Sequence, residues 1–319
     1  MIKRVSILIC TRNRYNDLKS CIESIISSYP SYQYNELIIV DSSDNKSIRS
    51  ANQELANKYG FIYLYEPRKG LSIARNTGIK NSSGNIIVFA DDDFIVDKNW
   101  IKNLIKNYDD ENVMCGTGRM LASNANEASK LYEKAMSFDR GDKRYEITKK
   151  NMSIINIIKT VSKIGEKRLK DKTPPPYNAG YGFGSFRRNI FDEIGFFDEM
   201  LGRGAQYIGS DDVDIYYRIL KAEYKIVYEP SAFIHHVHRQ TKEGVFNDAY
   251  NSGASIKALT TKYIKRLDTY MLFIFFGELF LLFFSLIKSS LGSDDEFKQM
   301  ILKEFEGFLK GYSYKPNGK

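Results

Sequence analysis

Apolar residues cluster in short, β-branched runs at 5–10, 36–40, 61–65 and 86–90. Between them lie stretches at 18–26, 48–56 and 72–79 whose apolar positions recur three or four residues apart. The first pattern is that of strands buried on both faces, the second that of helices with one apolar face. Their alternation predicts an α/β fold with a mostly parallel central sheet flanked by helices. The strands end in polar groups: Thr11-Arg12-Asn13, Asp41-Ser42-Ser43-Asp44 and Asp91-Asp92-Asp93. Ligands of open α/β sheets bind beyond the carboxyl ends of the strands, so these three clusters are expected to meet at one edge.

The pattern changes after residue 124. Residues 124–172 read as helical and strongly basic, with Ile154, Ile155, Ile158, Val161 and Ile164 as an apolar stripe beside Lys159, Lys163, Lys167 and Arg168. This segment, extended to the prolines at 174–176, is expected to be an insertion whose stripe packs on the core, with an interfacial helix as the alternative. A glycine-rich loop, Asn178-Ala179-Gly180-Tyr181-Gly182-Phe183-Gly184-Ser185, follows it. Near the end, residues 270–287 are almost wholly apolar, with Glu278 as their one charge and Lys257, Lys262, Lys265 and Arg266 before them. That length is marginal for a membrane span, which needs about 20 apolar residues. The basic flank and Glu278 favour a helix lying in or half inserted into a membrane surface, against the alternatives of a buried helix or an oligomer contact. Residues 294–319 predict one more amphipathic helix, with Phe297, Ile301, Phe305 and Phe308 on a face.

At 319 residues the chain accommodates one large body and a smaller appendage. A hydrophobic fraction of 43% and a charged fraction of 27% exclude wholesale disorder. The net charge of +8 suits anionic lipid or phosphorylated ligands. Nucleic acid is not expected, because no motif interleaves basic and base-stacking aromatic residues. Cys10, Cys21 and Cys115 lack metal-type spacing and read as reduced core thiols. The apolar run at 5–10 is too short for a secretion signal, so the body is expected in the cytoplasm.

Three consecutive carboxylates at the end of a strand repel one another unless a cation joins them. Mg²⁺ or Mn²⁺ held by one or two carboxylates and completed by substrate phosphates is the usual solution. The alternative is that the aspartates cap a helix opening near Asp97 to Trp100. A second acidic group, Asp211-Asp212-Val213-Asp214, opens a helical pattern, and all three histidines of the chain fall within His235-His236-Val237-His238.

In content and spacing the segments 6–14, 38–44, 70–78 and 88–93 resemble the nucleotide-binding half of the family-2 glycosyltransferases, which have the GT-A fold. The resemblance extends to about residue 239, interrupted by the basic insertion. It implies that Asp41 contacts the base, that Asp91 contacts the ribose, and that Asp93 binds the metal, with Thr11, Arg12, Gly70, Arg75 and Asp92 lining the nucleotide-sugar site. Family members usually carry Pro-Thr-Tyr-Asn after the first strand, where this chain has Cys10-Thr11-Arg12-Asn13. Asp212 matches the family's catalytic base, with Asp211 in the place of Glu. His236, following Glu229-Pro230-Ser231-Ala232, matches a metal-coordinating histidine. His238 is then expected to face the phosphates, and Gly182, Gly184, Asp211 and His238 to lie on the acceptor or donor-sugar side.

The resemblance implies a GT-A catalytic domain over 1–240 and a C-terminal helical region over 241–319 associated with a membrane. It implies inverting transfer of a sugar, of hexosyl type, from a nucleoside-diphosphate-sugar to a glycan or lipid-linked acceptor, dependent on Mn²⁺ or Mg²⁺. The site of action would be the cytoplasmic face of a membrane, peripheral or monotopic. The competing reading is a noncatalytic nucleotide-sugar-binding or scaffold protein of the same fold.

Overall fold

The computed structural model describes residues 3–28, 33–153, 176, 179–180, 184–290, 292 and 294–315. Strand β1 (Val5–Thr11) is buried at every position but Cys10, as a parallel strand covered on both faces must be. It pairs in parallel with β2 (Glu36–Asp41) and β4 (Ile86–Asp91), and β2 pairs in parallel with β3 (Ile62–Tyr65). Helices α1 (Tyr15–Ser28), α2 (Lys46–Tyr59) and α3 (Leu71–Lys80) make the connections. The boundaries of α2 follow from its caps. The Asn45 side chain accepts from the Ser47 and Ile48 N–H groups, and Gly60 at φ 70° closes the helix in the left-handed region. The register sets Thr11 opposite Asp41 and Cys10 opposite Asp91. The polar ends of three strands therefore emerge level with one another.

The second half of the sheet is mixed. It contains β5 (Phe94–Val96), β6 (Val113–Ala122), β7 (Tyr145–Ile147), β8 (Ser185–Arg187) and β9 (Lys225–His236). Eight of the nine strands among the described residues run β3-β2-β1-β4-β8-β6-β9-β5, and the ninth, β7, pairs with β9. Helices α4 (Trp100–Ile105), α5 (Glu127–Met136), α6 (Ile190–Ile194) and α7 (Asp211–Lys221) complete this half. Alternate strand residues face opposite layers. Ile7 and Ile9 join the core beneath α1 and α4, while Leu8 and Phe89 join the core beneath α3 and α7.

One expectation changes and one alternative is excluded. Within its described part the 124–172 segment is helical over α5 and in a short 3₁₀ turn at Lys149–Met152, and Tyr145–Ile147 instead adds a strand against Tyr228–Ile226. Its apolar stripe at 154–164 lies outside the described residues. Strand β9 runs unbroken through Pro230, and its ladder with β6 jumps from Gly118↔Glu229 to Arg119↔Phe233. The jump passes over Pro230, which has no N–H to give to a ladder. Finally, the chain after Asp93 enters β5 rather than a helix. Helix α4 begins at Trp100 after Asn99, so the acidic triplet does not cap it.

Three helices follow β9: α8 (Lys242–Ile264), α9 (Thr269–Ser290) and α10 (Asp295–Lys310). Helices α8 and α10 meet backbone to backbone. A Cβ at Gly253 would collide with the Glu304 carbonyl, and one at Gly307 with that of Tyr250. Helix α9 buries Met271, Ile274 and Leu282 but leaves Phe273, Phe276, Phe280 and Phe283 between 44% and 58% exposed. Its stretch Thr269–Ile287 is long and apolar enough to cross a membrane by length and composition, and 22% of it is buried in the protein.

Candidate active site

The sheet edge brings the acidic triplet and the histidines together through the main chain. Strand β5 ladders against β9 with Phe94 opposite His236, so Asp93 is one residue from a rung that ends on the histidine. Asp93 Oδ1 lies 3.7 Å from His236 Nε2. That oxygen is buried and accepts no hydrogen bond. Burial pushes the His236 imidazole down to about 4 against the pull of Asp93, with His238, Arg239 and Arg203 adding to the downward push, so that a neutral ring nitrogen is available as a ligand.

Two further carboxylates crowd this corner. Burial raises Asp91 to about 7 although Arg75 opposes the shift, and Asp93, Asp92 and Asp211 add like charge. Burial likewise raises Asp92 to about 6 against the pull of Arg14. Thr11 Oγ1 donates to Asp92 Oδ2 at 2.8 Å. Arg14 Nη1 donates to Asp92 Oδ1 at 2.8 Å and to Asp93 Oδ2 at 2.9 Å. Sequence reasoning missed Arg14, whose carboxylate partners lie 78 and 79 residues further along the chain.

A divalent cation fits the residues present. The orphaned Asp93 oxygen and the neutral His236 nitrogen are hard donors of the kind that Mn²⁺ accepts, and a diphosphate supplies the rest of such a coordination sphere. Among the described residues no three acidic, histidine or cysteine side chains form a ready-made cation cluster.

The expected base sits at the start of α7, where Ser210 at φ 59° turns the chain into the helix. Asp211 is buried and accepts from Arg75 Nη1 at 2.6 Å, and Arg75 Nη2 donates to Asp91 Oδ1 at 3.3 Å. The guanidinium is 3% exposed and lies over the rings of Phe89 and Phe197. It ties the end of β4 to the start of α7. Asp212 is the partly exposed member of the pair, with Oδ1 accepting from the Val213 N–H at 2.8 Å. Gly70 at φ 145° starts α3, where Leu71 N–H donates to the Arg203 carbonyl at 2.9 Å.

The other expected residues take up the following places. Asp41 is fully buried and turned inward. It accepts from Ser43 N at 2.8 Å, Asn52 Nδ2 at 2.8 Å and the Tyr63 hydroxyl at 2.9 Å, and so holds the turn after β2. Arg12 stands at the rim on Asp44 at 3.1 Å. Gly184 is buried, with its carbonyl on Phe89 N–H, and Gly182 lies outside the described residues. His238, expected to face the phosphates, does not. It is 1% exposed, and its two ring nitrogens meet His236 Nδ1 at 2.9 Å and Glu133 Oε2 at 3.1 Å. Its place is behind His236. The sequence also gave no hint of Asp248 on α8, which accepts from Arg239 Nε at 2.6 Å and from Arg203 Nη2 at 3.3 Å and so aims both cations near the site.

A sequence profile described as glycosyl transferase family 2 matches residues 6–195, more than half of the chain. The chain belongs to this family. Among family-2-like relatives it is 25% identical to the O-antigen chain rhamnosyltransferase WbaN of Salmonella anatum, over 69% of this chain and 62% of that one. It is 27% identical to the glycosyltransferase GlyA of Streptococcus pneumoniae, over 47% of this chain and 21% of that one. The glycosyltransferase AglE of Haloferax volcanii shares 25% identity over 47% of this chain and 49% of that one. The chain thus spans less than two thirds of the length of each of these relatives. Among solved structures, the mannosyltransferase PcManGT from Pyrobaculum calidifontis, in complex with GDP-Man and Mn²⁺, superposes with a TM-score of 0.61 at 15% identity, covering 97% of this chain and 87% of that one. The GT-A fold expected for a family-2 chain is present.

Proposed function

We propose that the protein is an inverting, metal-dependent glycosyltransferase that moves a sugar from a nucleoside-diphosphate-sugar to a hydroxyl of a glycan or lipid-linked acceptor. The observation that carries this reading is the buried, hydrogen-bond-free Asp93 oxygen facing His236 Nε2 at 3.7 Å. A divalent ion held by these two residues would stabilise the charge that builds on the departing diphosphate. The PcManGT complex, which contains GDP-Man and Mn²⁺, supports that choice of donor class and ion. Asp212, partly exposed at the helix start, accepts the proton of the acceptor hydroxyl as that oxygen attacks the anomeric carbon. One displacement inverts the centre. Arg75 and Asp211 fix the position of the helix start, and Arg203 and Arg239 offer positive charge beside the leaving group.

The exposed phenyl stripe of α9 supports a membrane-adjacent acceptor, with the helix lying in the surface of the cytoplasmic leaflet. The O-antigen chain named for the Salmonella relative is a product class consistent with that placement. The deciding experiment measures Mn²⁺-dependent release of nucleoside diphosphate from a panel of nucleotide sugars, in wild type and in Asp212→Asn and Asp93→Ala. A preferred donor, with release lost by about 10²–10⁴-fold in both folded variants, is the expected result. Release that survives both substitutions would remove these two residues from the mechanism.

A further inference from the structure

Behind His236 runs a chain of hydrogen bonds that no part of the catalytic reading uses. His236 Nδ1 meets His238 Nδ1 at 2.9 Å, and His238 Nε2 meets Glu133 Oε2 at 3.1 Å. The His238 ring is buried in an aromatic box, 4.8 Å from Phe138 and 5.6 Å from Tyr132 between centroids. Its backbone is pinned as well, its N–H donating to Asn124 Oδ1 at 2.8 Å and its carbonyl accepting from Gln240 Nε2 at 2.9 Å. The ring therefore has little freedom to turn away.

We propose that Glu133 and His238 are positioning residues that dictate the tautomer of His236 and thereby keep its Nε2 lone pair aimed at the cation site. The logic is one of donors and acceptors. A carboxylate only accepts, so wherever both rings are neutral His238 carries its proton on Nε2 and presents a bare Nδ1. His236 must then donate from Nδ1, and its Nε2, 3.7 Å from Asp93 Oδ1, is left unprotonated. A neutral imidazole binds a metal only through an unprotonated nitrogen, and a hydrogen bond at the other nitrogen is what selects it. This inference rests on the reading of His236 as a metal ligand.

The relay has a built-in test. The other oxygen of Glu133, Oε1, accepts from the backbone N–H of Asp139 at 3.1 Å. In Glu133→Gln the amide oxygen must stay on that N–H, which turns the amide NH₂ toward His238 Nε2. His238 must then accept there and donate from Nδ1, His236 must accept at Nδ1, and the proton moves to the His236 nitrogen that faces Asp93. An isosteric change five or more bonds away thus reverses both tautomers.

The chain has three histidines, so ¹⁵N-imidazole spectra of the full chain are sparse enough to assign. Spectra would be taken well above the ordinary histidine pKa, with Mn²⁺ alone then titrated in and the broadening of the His236 ring signals followed. We expect Nδ1–H on His236 and Nε2–H on His238 in wild type, both reversed in Glu133→Gln, with the Mn²⁺ midpoint raised about 10–100-fold. Wild-type His236 protonated on Nε2, or tautomers unmoved by Glu133→Gln, would overturn the relay. The wild-type spectrum decides the matter even where the variant does not fold. A chain that turns over no donor yet shows the expected tautomers keeps the relay and loses the catalytic reading, and turnover with reversed tautomers does the opposite.

Discussion

Lys262 Nζ, carried by α8, lies 2.6 Å from Asp214 Oδ1 on α7, and both side chains are buried. Arg218 Nε donates to the other oxygen of Asp214 at 2.9 Å, and the Tyr263 hydroxyl donates to Oδ1 at 2.7 Å. Burial alone would push the Asp214 carboxyl up, but Arg218 and Lys262 hold it below the usual carboxylate range. Removing one partner of a buried pair leaves a charge without compensation, so Lys262→Ala is expected to cost about 3 kcal/mol, read from the midpoint of urea unfolding. Lys257→Ala on the same helix, whose ammonium reaches the exposed Leu309 carbonyl, serves as the comparison and should cost less than about 1 kcal/mol.

Glu66 gives a pH prediction. Hydrogen bonds from Arg68, at 2.9–3.0 Å, and from Thr77, at 2.7 Å, hold its carboxyl down to about 2 despite burial. Its folded-state pKa lies below the unfolded value of about 4.3. The stabilisation is therefore complete above that value and is lost as pH falls through about 2. Glu66→Gln should lower stability at neutral pH by on the order of 2 kcal/mol and flatten the decline of stability across that acid window, as chemical denaturation at a series of pH values would show.

Arg75 spans two carboxylates with two different nitrogens, a geometry that a lysine cannot reproduce. Arg75→Lys is expected to lower kcat/KM for diphosphate release by about 100-fold through a misplaced α7 start. Circular dichroism would confirm the retained fold, and a variant with full activity would show that the bridge does not position Asp212.

Phe276 and Phe283 are 58% and 53% exposed on the outer side of α9. Burying each ring in lipid is worth about 1.5–3 kcal/mol. The double variant Phe276→Ser with Phe283→Ser should lose sedimentation with anionic vesicles while keeping donor hydrolysis in solution. Undiminished vesicle binding would assign the stripe to another partner.

The parallel half of the sheet was legible because its strands are short, β-branched and separated by clear turn residues. The carboxylate triplet and the histidine cluster stood apart because they are too rare for packing alone, and the family resemblance then pointed to Asp93 and His236 within them. What the sequence left hidden depends on contacts between distant elements. Nothing local to Arg14 shows that Asp92 and Asp93 lie within its reach, 78 and 79 residues on. Glu133 is 105 residues from His238 and looks like any surface residue of an amphipathic helix. His238 was misplaced for the same reason: two residues from His236, it should point the same way along a regular strand, but β9 ends at His236 and the ring turns back into the Tyr132–Phe138 box. The strand at Tyr145–Ile147 is only three residues long, too short to interrupt a helical reading.

The rung between Phe94 and His236 means that the distance from acid to imidazole is set by the spacing of neighbouring strands, before any donor arrives. The ordering entropy of this pair is paid when the sheet forms, and none of it is charged to substrate capture. The loops at the same edge carry no such obligation. Substitutions in the turn at 42–45 leave the Phe94–His236 rung untouched, so that on the proposed function a new specificity and an old chemistry can be inherited separately.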